Sequence, residues 1–227
     1  MRKTQLKKEI YRELSSKNWG QFPVLFKDQP PKAVLSCLCG IIRRRDLELR
    51  HRAARSFGLV IAELARRDLA EAREIMRRLV WSLNEESGGI GWGTSEAMGE
   101  AFFSSPVLAD EFGKFLISYL DRTHNYLEFT LLRQGVAWGL GRWAQRDPSH
   151  LKEKGISTGL CELLTSSDPQ LKAAAAWALG WLGDKKAINP LSGLLADSTR
   201  VLIWEQDRLE EKSLSSLTQN ALDRINS

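Results

Sequence analysis

Gly58, Gly99, Gly141 and Gly180 recur in closely similar surroundings at spacings of 41, 42 and 39 residues. Each follows a bulky apolar residue (Phe57, Met98, Leu140, Leu179), and four positions earlier the column is small (Ala54, Ser95, Ala137, Ala176). Eight positions earlier it is basic in three of four segments (Arg50, Arg133, Lys172), with Gly91 in the other. A small residue one helical turn from a glycine lets a second helix come close, while the bulky neighbour fills the space beside the contact. Self-similarity at a fixed period near 40 residues marks a repeat architecture.

A second amphipathic stretch precedes each glycine helix, at 32–45, 107–122 and 151–166, with 69–85 and 187–196 completing the series. Asp147-Pro148 and Asp168-Pro169 read as helix starts, an Asp cap followed by Pro at the first helical position. The expected fold is therefore all-α, an α-solenoid of about five HEAT-like helical hairpins. A single domain over 1–227 is expected, with a capping helix at 1–19 and repeats near 32–68, 69–106, 107–147, 151–184 and 187–226. Arg200-Val201-Leu202-Ile203-Trp204 breaks the helical period. It predicts a short hairpin insert before a last helix at 213–225, covering the open end of the stack.

The run DPQLKAAAAWALGWLGDKKAINPLSGLLAD, Asp168 to Asp197, resembles the HEAT-like repeat of the phycobilin lyase group. WSLNEESGGIGWGTSEAMGE, Trp81 to Glu100, together with GVAWGLGRWA further on, resembles a little-characterised bacterial HEAT-repeat family. The resemblance implies a fold rather than a chemistry, since HEAT stacks serve as scaffolds, adaptors and occasionally enzymes.

No apolar run is long enough to span a bilayer, and the basic start MRKTQLKKEIYRELSS has no apolar core or cleavage site, so a cytoplasmic chain without membrane contact is expected. Cys37, Cys39 and Cys161 lack zinc-site or disulfide spacing and read as small packing residues. Charge is uneven. Residues 1–80 carry a net +10 and residues 81–227 a net −5, and the arginines between Arg43 and Arg78 could attract an acidic partner or nucleic acid.

At 100° per residue, the positions six and three before each glycine and one after it lie opposite the packing columns. They include Arg52, Arg55, Glu96, Glu100, Trp138, Arg142, Trp177 and Trp181. If the second helices line a concave surface, this stripe forms a groove for a basic or amphipathic protein segment, anchored by Trp and Glu, with Arg52 and Arg55 receiving acidic groups. The competing expectation is that Trp177 and Trp181 are core. The glycine-rich stretch with Glu86, Gly89, Gly91 and Trp92 reads as a structural turn that could also approach a ligand.

The same residues do not match the patterns of HEAT-type enzymes. Deoxyhypusine hydroxylases hold iron with His-Glu pairs, whereas this chain reads His51-Arg52, His124-Asn125 and His150-Leu151. Alkylpurine DNA glycosylases use Trp side chains and a catalytic Asp, but the stripe holds Glu96 and Glu100. A bilin lyase is implied by one repeat alone. The expectation is a non-enzymatic scaffold or adaptor without cofactor or metal, with a glycosylase-like nucleic-acid module as the alternative.

Overall fold

The computed structural model describes residues 2–84, 91–123 and 125–227. Glu86 and Gly89, two of the residues singled out in the glycine-rich stretch, lie outside that set. The chain divides into two compact units, residues 1–113 and 114–227.

In the first unit, α1 (Lys3–Leu14) buries Leu6, Ile10 and Leu14, one face at a spacing of four. A 3₁₀ turn (Trp19–Gln21) and α2 (Phe22–Leu25) lead into α3 (Pro31–Ile41). The long α4 (Leu47–Arg67) starts where Asp46 accepts a 2.9 Å hydrogen bond from the Leu49 amide. Then follow α5 (Leu69–Asn84), α6 (Thr94–Ser104) and α7 (Pro106–Ser118), with the unit boundary inside α7. Helix α4 packs against α3, α5 and α6. Gly58 is required for the last contact: a Cβ there would lie 2.6 Å from the Glu100 carbonyl oxygen.

In the second unit, α8 (Thr130–Ala144), α11 (Pro169–Leu182) and α13 (Leu214–Asn226) are the glycine-register helices and their successor. A Cβ on Gly141 would meet the Ala178 Cα at 2.7 Å, and one on Gly180 the Ala221 Cα at 2.7 Å. Gly58, Gly141 and Gly180 thus lie at the seams between second helices within each unit. The first-layer helices are shorter than expected. Gly155, in the left-handed region at φ +70°, divides the stretch predicted at 151–166 into α9 (Pro148–Glu153) and α10 (Ile156–Leu163). The stretch predicted at 187–196 shrinks to a 3₁₀ turn and α12 (Ile188–Ser192).

The hairpin insert is present as β1 (Arg200–Glu205) and β2 (Arg208–Ser213), antiparallel in register from Arg200↔Ser213 to Glu205↔Arg208. Its two-residue turn places Gln206 at φ 52° and Asp207 at φ 60°, the combination a type I′ turn needs. One expectation is corrected. The hairpin lies against the flank of α11 and does not cap the end of the stack, since α13 packs directly on α11 through the Gly180 seam. No helix among the described residues is long and apolar enough to cross a membrane.

Candidate functional site

In the first unit the predicted stripe comes together, but it closes on itself. Arg50 on α4 meets Glu96 on α6 at 3.6 Å, and Arg55 meets Glu100 at 3.3 Å. Glu96 and Glu100 are 4% and 1% exposed, so they are not the open anchors for a basic segment that helix phase predicted. The physical reason is the approach permitted by Gly58, which brings the two helices so near that the residues beside the seam are covered. Burial raises the Glu96 carboxyl above its ordinary range, and the Arg50 guanidinium offsets part of that.

Arg52 and Arg55 are half-buried and engaged within the unit. Arg52 Nη1 donates to the Leu14 carbonyl at 2.8 Å and the Ser16 carbonyl at 3.0 Å, satisfying acceptors at the end of α1. Its guanidinium lies 5.5 Å from the Trp19 ring centroid, and that of Arg55 lies 5.8 Å from Phe103. Gly91 and Gly93 are structural. A Cβ on Gly91 would press on the Ser82 carbonyl at 2.9 Å, and Gly93, at φ +74°, caps α6 against the Ile42 carbonyl. Trp92 is half-buried with the Arg45 guanidinium over its ring.

The stripe of the second unit is built from indoles. Trp138 on α8 and Trp177 on α11 stack with centroids 5.6 Å apart and planes 2° from parallel, and Trp181 meets Trp177 edge-on at 6.4 Å. Trp138 and Trp177 are 4% and 2% exposed. Exposure of Trp138 is corrected, and for Trp177 the competing expectation of a core side chain is the one met, for a different reason than in the first unit: the chain's own strand covers them. Trp138 Nε1 donates to the Trp204 carbonyl at 3.0 Å, and Trp177 Nε1 to Glu205 Oε1 at 3.1 Å. Gln170, seven residues before Trp177 and so two turns along the same face, accepts from the Leu202 amide at 3.0 Å through Oε1 and donates to the Leu202 carbonyl through Nε2.

The Trp138 and Gln170 bonds fall on the edge of β1 that β2 leaves unpaired, so one side chain from each of two helices reads the backbone of an extended strand. Val201, Ile203 and Trp204 are buried at the same time. Glu205 closes the arrangement, receiving Lys212 Nζ at 2.7 Å and Arg224 Nη2 at 2.9 Å besides the Trp177 indole. Burial alone would raise its pKa, but these three donors hold the carboxyl below its ordinary value. Trp181 and Arg142 remain half-buried at the margin. The Arg224 guanidinium covers Trp181 at 4.1 Å, Trp181 Nε1 has no hydrogen-bond partner among the described residues, and Arg142 donates to Gln145. Helix phase located four of the second unit's residues but missed Gln170, Glu205 and Arg224; the first was legible from its spacing to Trp177, and the others depend on where the hairpin folds back.

A family profile described as HEAT repeats matches residues 116–205. Residues 116–205 carry HEAT repeats. The match is to these repeats at large and singles out neither the phycobilin lyase type nor the bacterial family that the sequence resembles. A search of curated proteins returned no match. Among solved structures, an engineered protein is 17% identical with a TM-score of 0.55, covering 98% of this chain and 96% of its own. A designed armadillo repeat protein in complex with a (KR)4 peptide is 16% identical with a TM-score of 0.55, covering 96% and 98%. A computationally designed armadillo repeat protein for modular peptide recognition is 15% identical with a TM-score of 0.52, covering 96% and 99%. At these identities the likeness is one of fold, and it places the HEAT repeats in an armadillo-like helical architecture.

Proposed function

We propose that the chain is a non-enzymatic scaffold or adaptor whose second-helix face in residues 130–182 holds an extended segment of a partner protein. The observation that carries this is the capture of β1 by Gln170, Trp138 and Trp177, in which two of the three side chains bond backbone rather than side-chain atoms. Such bonds accept any extended chain, and the pockets holding Val201, Ile203 and Trp204 add selectivity for apolar side chains. That a designed armadillo neighbour was solved with a bound peptide supports the reading.

On this reading the hairpin is a tethered competitor. A segment joined by short linkers acts at an effective concentration of about millimolar, so an external peptide of similar intrinsic strength binds weakly until the hairpin leaves. The test replaces residues 199–213 by a short Gly-Ser link, confirms helicity by circular dichroism, and titrates a labelled RVLIWE peptide by fluorescence anisotropy. Binding by the excised chain, its loss in the excised chain carrying Gln170→Ala and Trp138→Phe, and at least tenfold weaker binding by the intact chain are expected. A folded, excised chain that ignores the peptide would overturn the proposal.

The nucleic-acid alternative rests on the basic N-terminal third. There Arg66 and Arg67 pair with Glu63, Arg73 with Glu111, Arg77 with Glu74 and Arg52 with Glu48, besides the two pairs of the closed stripe. Much of the charge that suggested a phosphate track is already neutralised within the unit.

A further inference from the structure

The first unit contains a cleft on the side of its first-layer helices, lined by none of the stripe residues. Helices α3 and α5 both pack on α4, and the space between them is about 520 Å³. The two helices start together, since Lys32 in the first turn of α3 pairs with Glu71 in the first turn of α5 at 2.8 Å. The cleft stays open because the α3 wall is made of Ala33, Ser36 and Cys39, side chains too small to fill it. Leu35 and Leu79 give it an apolar base.

The rim is cationic. Lys3, Lys32, Arg43 and Arg78 line the cleft, all exposed, and no Asp or Glu is among its lining residues. Lys3, Arg43 and Arg78 pair with no carboxylate among the described residues, in contrast to Arg73 and Arg77 on the same α5 helix, which pair with Glu111 and Glu74. A basic rim over an apolar base complements a ligand with negative charge outside and hydrocarbon inside.

The spacing of the cations narrows the class. Lys32 lies in the first turn of the eleven-residue α3 and Arg43 two residues past its end, so the length of the helix, about 16 Å at 1.5 Å per residue, separates them. One carboxylate, as on a fatty acid, cannot serve both ends. A nucleic-acid backbone could span the distance, but it would leave the apolar base facing phosphate. A helix of about three turns has the right length, presenting apolar residues at i, i+3, i+4 and i+7 with carboxylates on the flanks.

We infer that the α3–α5 cleft is a docking site for an acidic amphipathic helix of a partner protein, seated by apolar side chains against Leu35 and Leu79 and held at its ends by Lys32 and by Lys3, Arg43 and Arg78. The site is distinct from the face that holds β1, and the two can be tested separately. Cys39 provides an internal reporter, because its thiol lines the cleft and its reaction with iodoacetamide falls when the cleft is filled.

The experiment titrates the full chain with a labelled Leu/Glu amphipathic peptide of about 15 residues. The same peptide with Lys for Glu, dodecanoate and duplex DNA serve as competitors. The acidic peptide is expected to bind at least tenfold more tightly than the basic one and to protect Cys39. Arg43→Glu with Arg78→Glu should weaken it at least tenfold and improve the basic peptide, and Ser36→Trp, which fills the cleft from an exposed position, should abolish it. Trp138→Phe should leave it unchanged, which separates this site from the strand-reading face. Thermal melts of each variant verify folding. The inference is overturned if the charge-reversed or Ser36→Trp chain binds the acidic peptide as wild type does, or if dodecanoate or DNA displaces it at equal concentration.

Discussion

In both units one second helix meets the next beside a seam glycine, and the two meetings are filled with opposite chemistry. Beside the Gly58 seam, arginines of one helix face glutamates of the next; beside the Gly141 seam, indole faces indole. The contrast shows that repeat phase decides which residues meet, while residue type decides whether the meeting needs anything further. Guanidinium and carboxylate satisfy one another and close the stripe. Stacked indoles satisfy one another only through their faces, so each N–H still requires an acceptor, and the strand beside them supplies it.

The comparison can be broken most sharply by removing one charge from the closed stripe. Glu96→Ala would leave Arg50 buried without its counter-charge, and a loss of about 3–5 kcal/mol is expected in chemical denaturation. A loss below about 1 kcal/mol would mean that the pair is solvated and the stripe open. Next is the seam itself: Gly180→Ala should cost about 1–3 kcal/mol, because its Cβ would sit 2.8 Å from that of Ala221 between two helix backbones.

Trp138→Phe keeps a ring in the stack and removes the donor to the Trp204 carbonyl, for a loss of about 1–2 kcal/mol in the same denaturation experiment. Its effect on hydrogen exchange should concentrate in β1. Arg142→Ala, at the margin, should change stability by less than about 0.5 kcal/mol.

Acid sharpens the comparison further. Burial, with some help from Arg50, lowers the His51 pKa to about 3, so the folded first unit keeps it neutral while the unfolded chain takes up a proton below its ordinary pKa. Stability there should fall by about 1.4 kcal/mol per pH unit from somewhat below pH 6.5 down to pH 3. Glu96 works in the opposite sense once carboxylates titrate, because its raised pKa makes protonation favour the fold. In the second unit the depressed carboxyl of Glu205 contributes stability at neutral pH that is lost only as pH falls below the usual carboxylate range. Hydrogen exchange between pH 6 and 4 should therefore weaken the first unit before the second, and His51→Phe should remove the difference.

Much of this was legible in the chain. The glycine column marked the seams, 100° phase brought Arg55 to Glu100 and Trp138 to Trp177, and the broken period at Arg200 to Trp204 marked the hairpin. What phase could not give was exposure. A stripe opposite the packing face is open only if neither the next helix nor another segment lies over it, and that depends on how near the seam glycines bring the backbones and where a distant hairpin lands. The opposite signs of Arg55 and Glu100 in consecutive repeats were themselves a sign of pairing, whereas Arg52 turned to Glu48 and Glu96 took Arg50 from outside the stripe. Nothing comparable in the sequence announced Glu205 as the partner of Trp177, because 28 residues separate them.

The most direct test of the central claim follows the indole N–H resonances of Trp138 and Trp177 by ¹H–¹⁵N NMR in the intact chain, in the hairpin-excised chain, and after adding the RVLIWE peptide. If this face reads an extended backbone, both resonances move when the hairpin is excised and return toward their intact positions with saturating peptide. If the peptide leaves them where excision put them, the face is a packing surface for its own hairpin and nothing more.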